Sequence, residues 1–549
     1  MVNSELSQKL KPFLWVLPIF IVSLVFIADP RYFSSPPLRS DDWNWIIDPI
    51  IFNPLKMIDL SDRRPLLSSL LAVLTPLFGL NIHWYYIANW FLLFLSGVVC
   101  YLIVKNAFPK QAYLALPTAL IFLIYPVNYA RTWLIIINNS YALLLALIAV
   151  LMMVLYARTG KIPLLILGNA LFLLSLGTYE AGLGIVIMSA LLLIILSREI
   201  PRKRRLLIAT FLITGGFFII WRTWIQPQIF SIQDYYLESI DINALTTIRR
   251  YIQGLFIFLF NWLGPLLIPF GELKYWLFVG LSLFSGFLLS IFLPNFIKRA
   301  KTNPDFIFSE RVDRIKSLLL IALWGGLIWF AGYIPVIFLY QPVFYGDASR
   351  VNFAAIPGAS LALSAILAVL ITVIVRKKEK INRLLFIAVI PLVLFAMGYQ
   401  IHSQNIRNRI WEVNKNFWHN TFEVVPRLED NTKVVIVIPG FVELKPFEML
   451  PFRGDWEAES ALRVLYNNPD LFAEYFYSDI PYHPDNWEPT EVDLSRYLFL
   501  YFDPNDSQVR IIEDPENALA LPIRTEGYNP SERLKPPQIN GEKYRGLVE

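Results

Sequence analysis

Apolar runs long enough to cross a lipid bilayer recur along the first 400 residues of this 549-residue chain, and they limit its fold more than any other feature. They fall near 13–28, 84–104, 112–127, 133–156, 162–178, 181–197, 206–224, 275–294, 317–340, 351–375 and 384–400. A helix needs about 20 residues to span the hydrocarbon. In that solvent every backbone N–H and C=O must find its partner inside the protein, which leaves helices or a closed barrel. The length of the runs selects helices. Only 17% of the chain is charged, against roughly 25% in soluble domains. The deficit lies before residue 400, and the rest of the chain has an ordinary mixed surface composition. The expected fold is a polytopic α-helical membrane block (1–400, about 11 transmembrane helices), followed by a small α/β or α+β soluble domain (401–549). The first run resembles a signal peptide in length, but Ala28-Asp29-Pro30-Arg31 is a poor cleavage site, so it reads as an uncleaved span.

Basic clusters set the orientation. Lys105 with Lys110, Arg158 with Lys161, Arg198–Arg205, Lys298–Lys316 and Arg376–Arg383 all fall on one side if the N-terminus is cytoplasmic. The soluble domain then lies outside the cytoplasm. Keeping that pattern requires residues 251–270 to be a re-entrant or interfacial hairpin turning at Gly264-Pro265, although they are apolar enough to span. Irregular backbone at that depth survives only inside protein or beside a water-filled cavity. In the tail, 401–425 reads as a polar helix rich in Asn, Arg and Trp. Lys433–Pro439, Tyr497–Phe502 and Gln508–Ile512 read as strands. The tail aromatics Trp456, Tyr466, Tyr475, Phe476, Tyr477 and Trp487 fit either an exposed acceptor surface or an ordinary core.

No nucleotide-binding motif is present, and nothing points to nucleic acid. The four histidines are scattered, and the single cysteine, Cys100, lies in an apolar run, which excludes an internal disulfide. The chemistry therefore falls to charged residues at the outer ends of spans. Asp41-Asp42, flanked by Trp43 and Trp45, can supply a general base for an acceptor hydroxyl; the pair fits a solvated helix start equally well. Arg63-Arg64-Pro65-Leu66, Arg131, Tyr179-Glu180, Arg222, and Asp347 with Arg350 complete the set. Arginines beside the hydrocarbon either fork onto phosphate oxygens or snorkel to the interface. Ionisable groups near the bilayer midplane in two related halves would signal a transporter or flippase; these groups sit at span ends and no internal repeat is visible. A non-catalytic scaffold presenting its tail is the other alternative.

In their order along the chain these motifs resemble those of the GT-C superfamily of polyprenyl-phosphate-sugar-dependent glycosyltransferases, in particular its protein O-mannosyltransferase-like branch. Asp41-Asp42 resembles the family's acidic motif. Arg64-Pro65-Leu66 resembles its Tyr-Arg-Pro-Leu, with Arg63 in place of the tyrosine. Tyr179-Glu180 falls where a Lys-Glu pair is common, and Ser349-Arg350-Val351 opens a late span where Arg-Tyr is expected. The resemblance implies sugar transfer from a polyprenyl-phosphate donor to a lipid, glycan or protein acceptor. Asp41 or Asp42 would be the catalytic carboxylate, and Arg350, with Arg64 and Arg131, would bind the donor phosphate. Glu180, Arg63 and Arg222 would be supporting residues. Some members of the family hold a divalent cation (Mg or Mn) at the acidic motif, which would make Asp41 and Asp42 metal ligands as well.

Overall fold

The computed structural model describes residues 15–34, 36–38, 41–52, 64–197, 199–230, 243–262, scattered positions from 277 to 288, 305–343, 347–375, 378–438, 455–477, 494–503, 507–515, 528–534 and 544–548. The chain is a polytopic helical membrane protein with a small C-terminal domain. Six helices among the described residues are long and apolar enough to cross a membrane, and shorter apolar helices accompany them. Apolar side chains such as Leu77, Ile213 and Leu245 are 71%, 70% and 76% exposed. Exposure on this scale is expected where lipid is the solvent.

The chain divides into two compact units. The first holds residues 1–29, 58–70 and 85–403. Its helices are α1 (Val16–Ser23), α2 (Ile82–Ala107), α3 (Ala115–Ile124), α4 (Ile137–Thr159), α5 (Ile162–Thr178), α6 (Gly182–Ile195), α7 (Thr210–Ile220), α8 (Ala244–Phe260), α9 (Asp305–Ile337) and α10 (Ile356–Ile374), with the first part of α11 (Lys378–Val424). Most of the expected span at 275–294 lies outside the described residues. So does the Gly264-Pro265 turn; the segment before it is the last part of α8, an amphipathic helix. The α8 face carrying Tyr251 stacks on Phe330 of α9 at 4.2 Å, while Leu245, Ile248, Ile252, Leu255 and Leu259 are exposed.

Small residues bring α6, α9 and α10 together. A Cβ on Gly325 would lie 2.5 Å from the Ala362 amide nitrogen and 2.7 Å from the Gly358 carbonyl oxygen. One on Gly358 would sit on the Trp329 nitrogen, and one on Gly184 on the Ala331 carbonyl. Lipid supplies no hydrophobic force between helices, so such backbone approach, with its dispersion gain, is what holds them together.

Between α3 and α4 the backbone at 125–136 is irregular yet buried. Its polar groups are met by side chains from distant segments. Asn261 Nδ2 donates to the Pro126 carbonyl (2.7 Å), Asn352 Nδ2 to that of Val127 (2.8 Å) and Asn89 Nδ2 to that of Arg131 (3.3 Å), and the Ala130 amide donates to Ser349 Oγ (3.4 Å). The sequence predicted irregular backbone within protein at 251–270; among the described residues it is found here.

The second unit comprises residues 30–57, 71–84 and 404–549. Its sheet has the order β2-β1-β3-β4, with β1 (Lys433–Ile438) parallel to β2 (Phe472–Tyr477) and β3 (Tyr497–Asp503), and β4 (Gln508–Ile511) antiparallel to β3. Helix α12 (Asp455–Leu465) connects β1 to β2. β1 and most of β3 are buried, as a central parallel strand requires. β2 was not expected from the sequence. Its aromatics Tyr475 and Phe476 are buried rather than displayed, and Phe476 packs with Val435 and Val437.

Gly358→Ala should destabilise the first unit by about 1–3 kcal/mol through overpacking. Gly326→Ala, where nothing lies within 4 Å of an added Cβ, should be close to neutral. Unfolding of both variants by SDS titration in mixed micelles checks this.

Candidate functional site

Two sequence motifs separated by 116 positions meet in the first unit. The Leu66 amide donates to the Gly177 carbonyl at 2.9 Å, and a Cβ on Gly177 would press on Leu66 Cδ1 at 2.9 Å. This docking carries Arg64 to Glu180, where Nε donates to Oε2 at 2.7 Å. The guanidinium also lies over the Tyr179 ring, 4.1 Å from its centroid. A lysine at 179 would repel Arg64, whereas the ring attracts it. Burial alone would raise the Glu180 carboxyl, but Arg64, its hydrogen bond and the field of Arg222 hold it below its ordinary value. Burial likewise opposes the charge on Arg64, and the Glu180 carboxylate and Tyr179 outweigh it and raise the guanidinium. Side-chain exposures of 32% and 25% leave the pair open on one side. Arg222 lies in a π-helical turn, Trp221–Ile225, and donates to Gln226 Oε1 at 3.1 Å. Such turns are frequent at functional sites.

Arg131 is handled differently. It is 0% exposed, and no carboxylate among the described residues pairs with it. Its Nη1 donates to the Phe122 carbonyl (3.0 Å) and to that of Leu123, at the C-terminal end of α3, where a cation is favoured. The faces of Phe26 and Phe122 lie 5.5 and 5.2 Å from the guanidinium carbon. Its Nε and Nη2 have no hydrogen-bond partner in the structure. The same holds for both amide atoms of Asn128 and Asn138, for Asn139 Nδ2 and for Ser140 Oγ, all buried. Buried polar groups are normally satisfied, so these exceptions, which all fall within residues 128–140, stand out. The sequence shows Asn138-Asn139-Ser140 as a glycosylation acceptor pattern too near the membrane to serve as one, and offers neither it nor Asn128 as part of a site. The available signal was a run of amides and a hydroxyl, Asn138-Asn139-Ser140, at the head of an otherwise apolar span.

Arg350 lies on the 3₁₀ stretch Asp347–Ala355, which packs against Tyr129–Thr132; the Ala130–Ser349 hydrogen bond is part of that contact. The segments carrying Arg131 and Arg350 are thus neighbours. Asp41 and Asp42 belong to the second unit, at the head of a π-helical turn, Trp43–Ile47. Asp42 is 2% exposed and Asp41 half-buried. Arg63 lies outside the described residues. A resident hard cation takes six or more oxygens. Among the described residues no group of three or more His, Cys, Asp or Glu is placed to hold a metal.

No protein-family model matches the chain, and comparison with curated proteins finds no relative. Among solved structures, it is similar to the crystal structure of ArnT from Cupriavidus metallidurans bound to undecaprenyl phosphate. The identity is 11% and the TM-score 0.43, over 93% of this chain and 95% of that one.

The stability supplied by the depressed Glu180 carboxyl is fully present above its ordinary value of 4.5 and is lost as pH falls through the lower folded value. The difference in thermal midpoint between wild type and Glu180→Gln should therefore be largest near neutrality and vanish in acid. Thermal scans from pH 7 to pH 3 check this.

Proposed function

We propose that this protein is a membrane glycosyltransferase that moves a sugar from a polyprenyl-phosphate carrier to an acceptor hydroxyl on the extracytoplasmic face, with the N-terminus cytoplasmic and the C-terminal domain outside. The observation that carries the reading is the buried Arg131, with no carboxylate partner among the described residues, on a segment packed against that of Arg350. Such a cation at the end of a span, with two of its nitrogens unsatisfied, suits a phosphate delivered from the membrane. Arg350 and Arg131 hold the donor phosphate. Arg64 joins them through its Nη groups, since only Nε is bound to Glu180 and the Tyr179 ring fixes its plane. Glu180 keeps it in place, and the field of Arg222 helps keep that carboxylate ionised.

One carboxylate of the Asp41–Asp42 pair takes the proton from the acceptor hydroxyl as its oxygen attacks the anomeric carbon. The bond from that carbon to the phosphate oxygen breaks, and the phosphate leaves with the electron pair. Because the leaving group is already a stable anion, cationic stabilisation suffices and no strong general acid is needed. A single in-line displacement inverts the anomeric carbon. The acceptor is a lipid, glycan or protein hydroxyl.

The test is transfer by purified protein in proteoliposomes, with polyprenyl-phosphate sugars and a panel of acceptors. Asp42→Asn or Asp41→Asn should lower kcat by about 100-fold with little change in donor KM, the usual scale of a lost general base. Arg350→Gln should mainly weaken donor binding. Full activity in both Asn variants would overturn the assignment of the base. A wild type that binds the donor lipid and transfers to no acceptor would point to a flippase or scaffold.

A further inference from the structure

The acidic loop and the C-terminal domain fold as one unit, and the contacts between them bracket the acidic pair. Upstream, Arg407 of α11 donates through Nη2 to the Tyr32 hydroxyl and lies 4.6 Å from the centre of the Tyr32 ring. One position earlier, Arg31 Nη2 donates to Asn405 Oδ1 at 3.3 Å. Tyr32 and Arg407 are 1% and 2% exposed. Downstream, α12 packs against the π-helical turn Trp43–Ile47 and the helix Asp48–Phe52 that continues it. Trp43, Ile46 and Ile47 are fully buried there. The Glu457 carboxylate of α12 accepts from Asn414 Nδ2 of α11 at 3.2 Å, which joins the two supporting helices.

From this we infer that the C-terminal domain is a positioning element for the Asp41–Asp42 loop, and that Arg407 is the positioning residue that anchors the loop through Tyr32. A short loop at a membrane surface has few buried contacts of its own, and a base displaced by about 1 Å loses about two orders of magnitude in rate. A guanidinium both donating to a phenol and lying on its ring fixes distance and plane together, which a surface ion pair does not. The catalytic consequence rests on the transfer reading above; the positioning itself does not.

The experiment is hydrogen exchange read by mass spectrometry on the full-length protein in detergent, comparing wild type, Arg407→Leu and Arg407→Lys. Exchange of amides 41–52 should rise about tenfold or more in Arg407→Leu, with 137–159 unchanged, and return to within about threefold of wild type in Arg407→Lys. In transfer assays the Leu variant should lose kcat with donor KM nearly unchanged, and Lys should restore part of it. Unchanged exchange at 41–52 in Arg407→Leu overturns the proposal. If that variant also loosens 137–159, Tyr32→Leu removes the same contact from the other side and is judged by the same criterion. Exchange needs no substrate. A protein that transfers no sugar yet loosens only at 41–52 keeps the positioning and sinks the transferase; one that transfers sugar with kcat indifferent to Arg407→Leu does the reverse.

Discussion

Buried backbone without regular structure has to be satisfied by side chains, and the first unit is organised around that requirement. The segment 125–136 leaves the helical ladder at Tyr125, and its carbonyls are then served by Asn261 at the end of α8, Asn352 on the stretch before α10, and Asn89 on α2. Each donor fixes the depth and rotation of its own segment. Asn352 is itself oriented by the Tyr333 hydroxyl of α9, 2.7 Å from its Oδ1. Four segments far apart in sequence are thereby brought around one short stretch of chain. Without these donors each orphaned group would cost several kcal/mol in hydrocarbon.

Two arginines of the first unit, Arg64 and Arg131, are held in opposite ways. Arg64 sits partly open, with a carboxylate and a ring to balance it, and its field is largely spent within the protein. Arg131 is enclosed, and among the described residues its charge is met by two carbonyls and two aromatic faces. Desolvating a guanidinium costs several kcal/mol, which carbonyl contacts recover only in part. A fold optimised for stability alone would neutralise or replace it. Its retention, with Nε and Nη2 unsatisfied, is a cost to stability that the donor-phosphate role proposed above would explain.

The membrane class was legible in the sequence because lipid imposes it residue by residue: long apolar runs with charges confined to their ends. β1, β3 and β4 were legible from short apolar runs with breaker residues. β2 was not, because Phe472-Ala-Glu-Tyr-Phe-Tyr477 interleaves aromatics with a carboxylate, and its strand state depends on lying against β1. The Arg64–Glu180 contact was foreshadowed by two motifs, but only the docking of Leu66 on Gly177 makes it a contact. Arg131 was singled out in the sequence, but Asn128 and Asn138 were not read as site residues, because single amides in apolar runs carry no period. Whether a buried amide is satisfied is a tertiary property.

The polar helix expected at 401–425 had a stronger signal than its composition. Gln404, Arg407, Trp411, Asn414, Trp418 and Thr421 recur at alternating spacings of three and four, and all are buried. That spacing marks a continuous helical seam, yet four of its six side chains are polar. An apolar seam would bury more favourably but would accept neighbours at many registers; a seam of donors and acceptors fits only a partner that completes each bond. Glu457 meets Asn414 and Tyr32 meets Arg407, so the seam specifies the C-terminal helix on one hand and the acidic loop on the other. Specificity obtained at the expense of burial is what the proposed role of that loop, carrying a catalytic base, would require, since such a function depends on position more than on affinity.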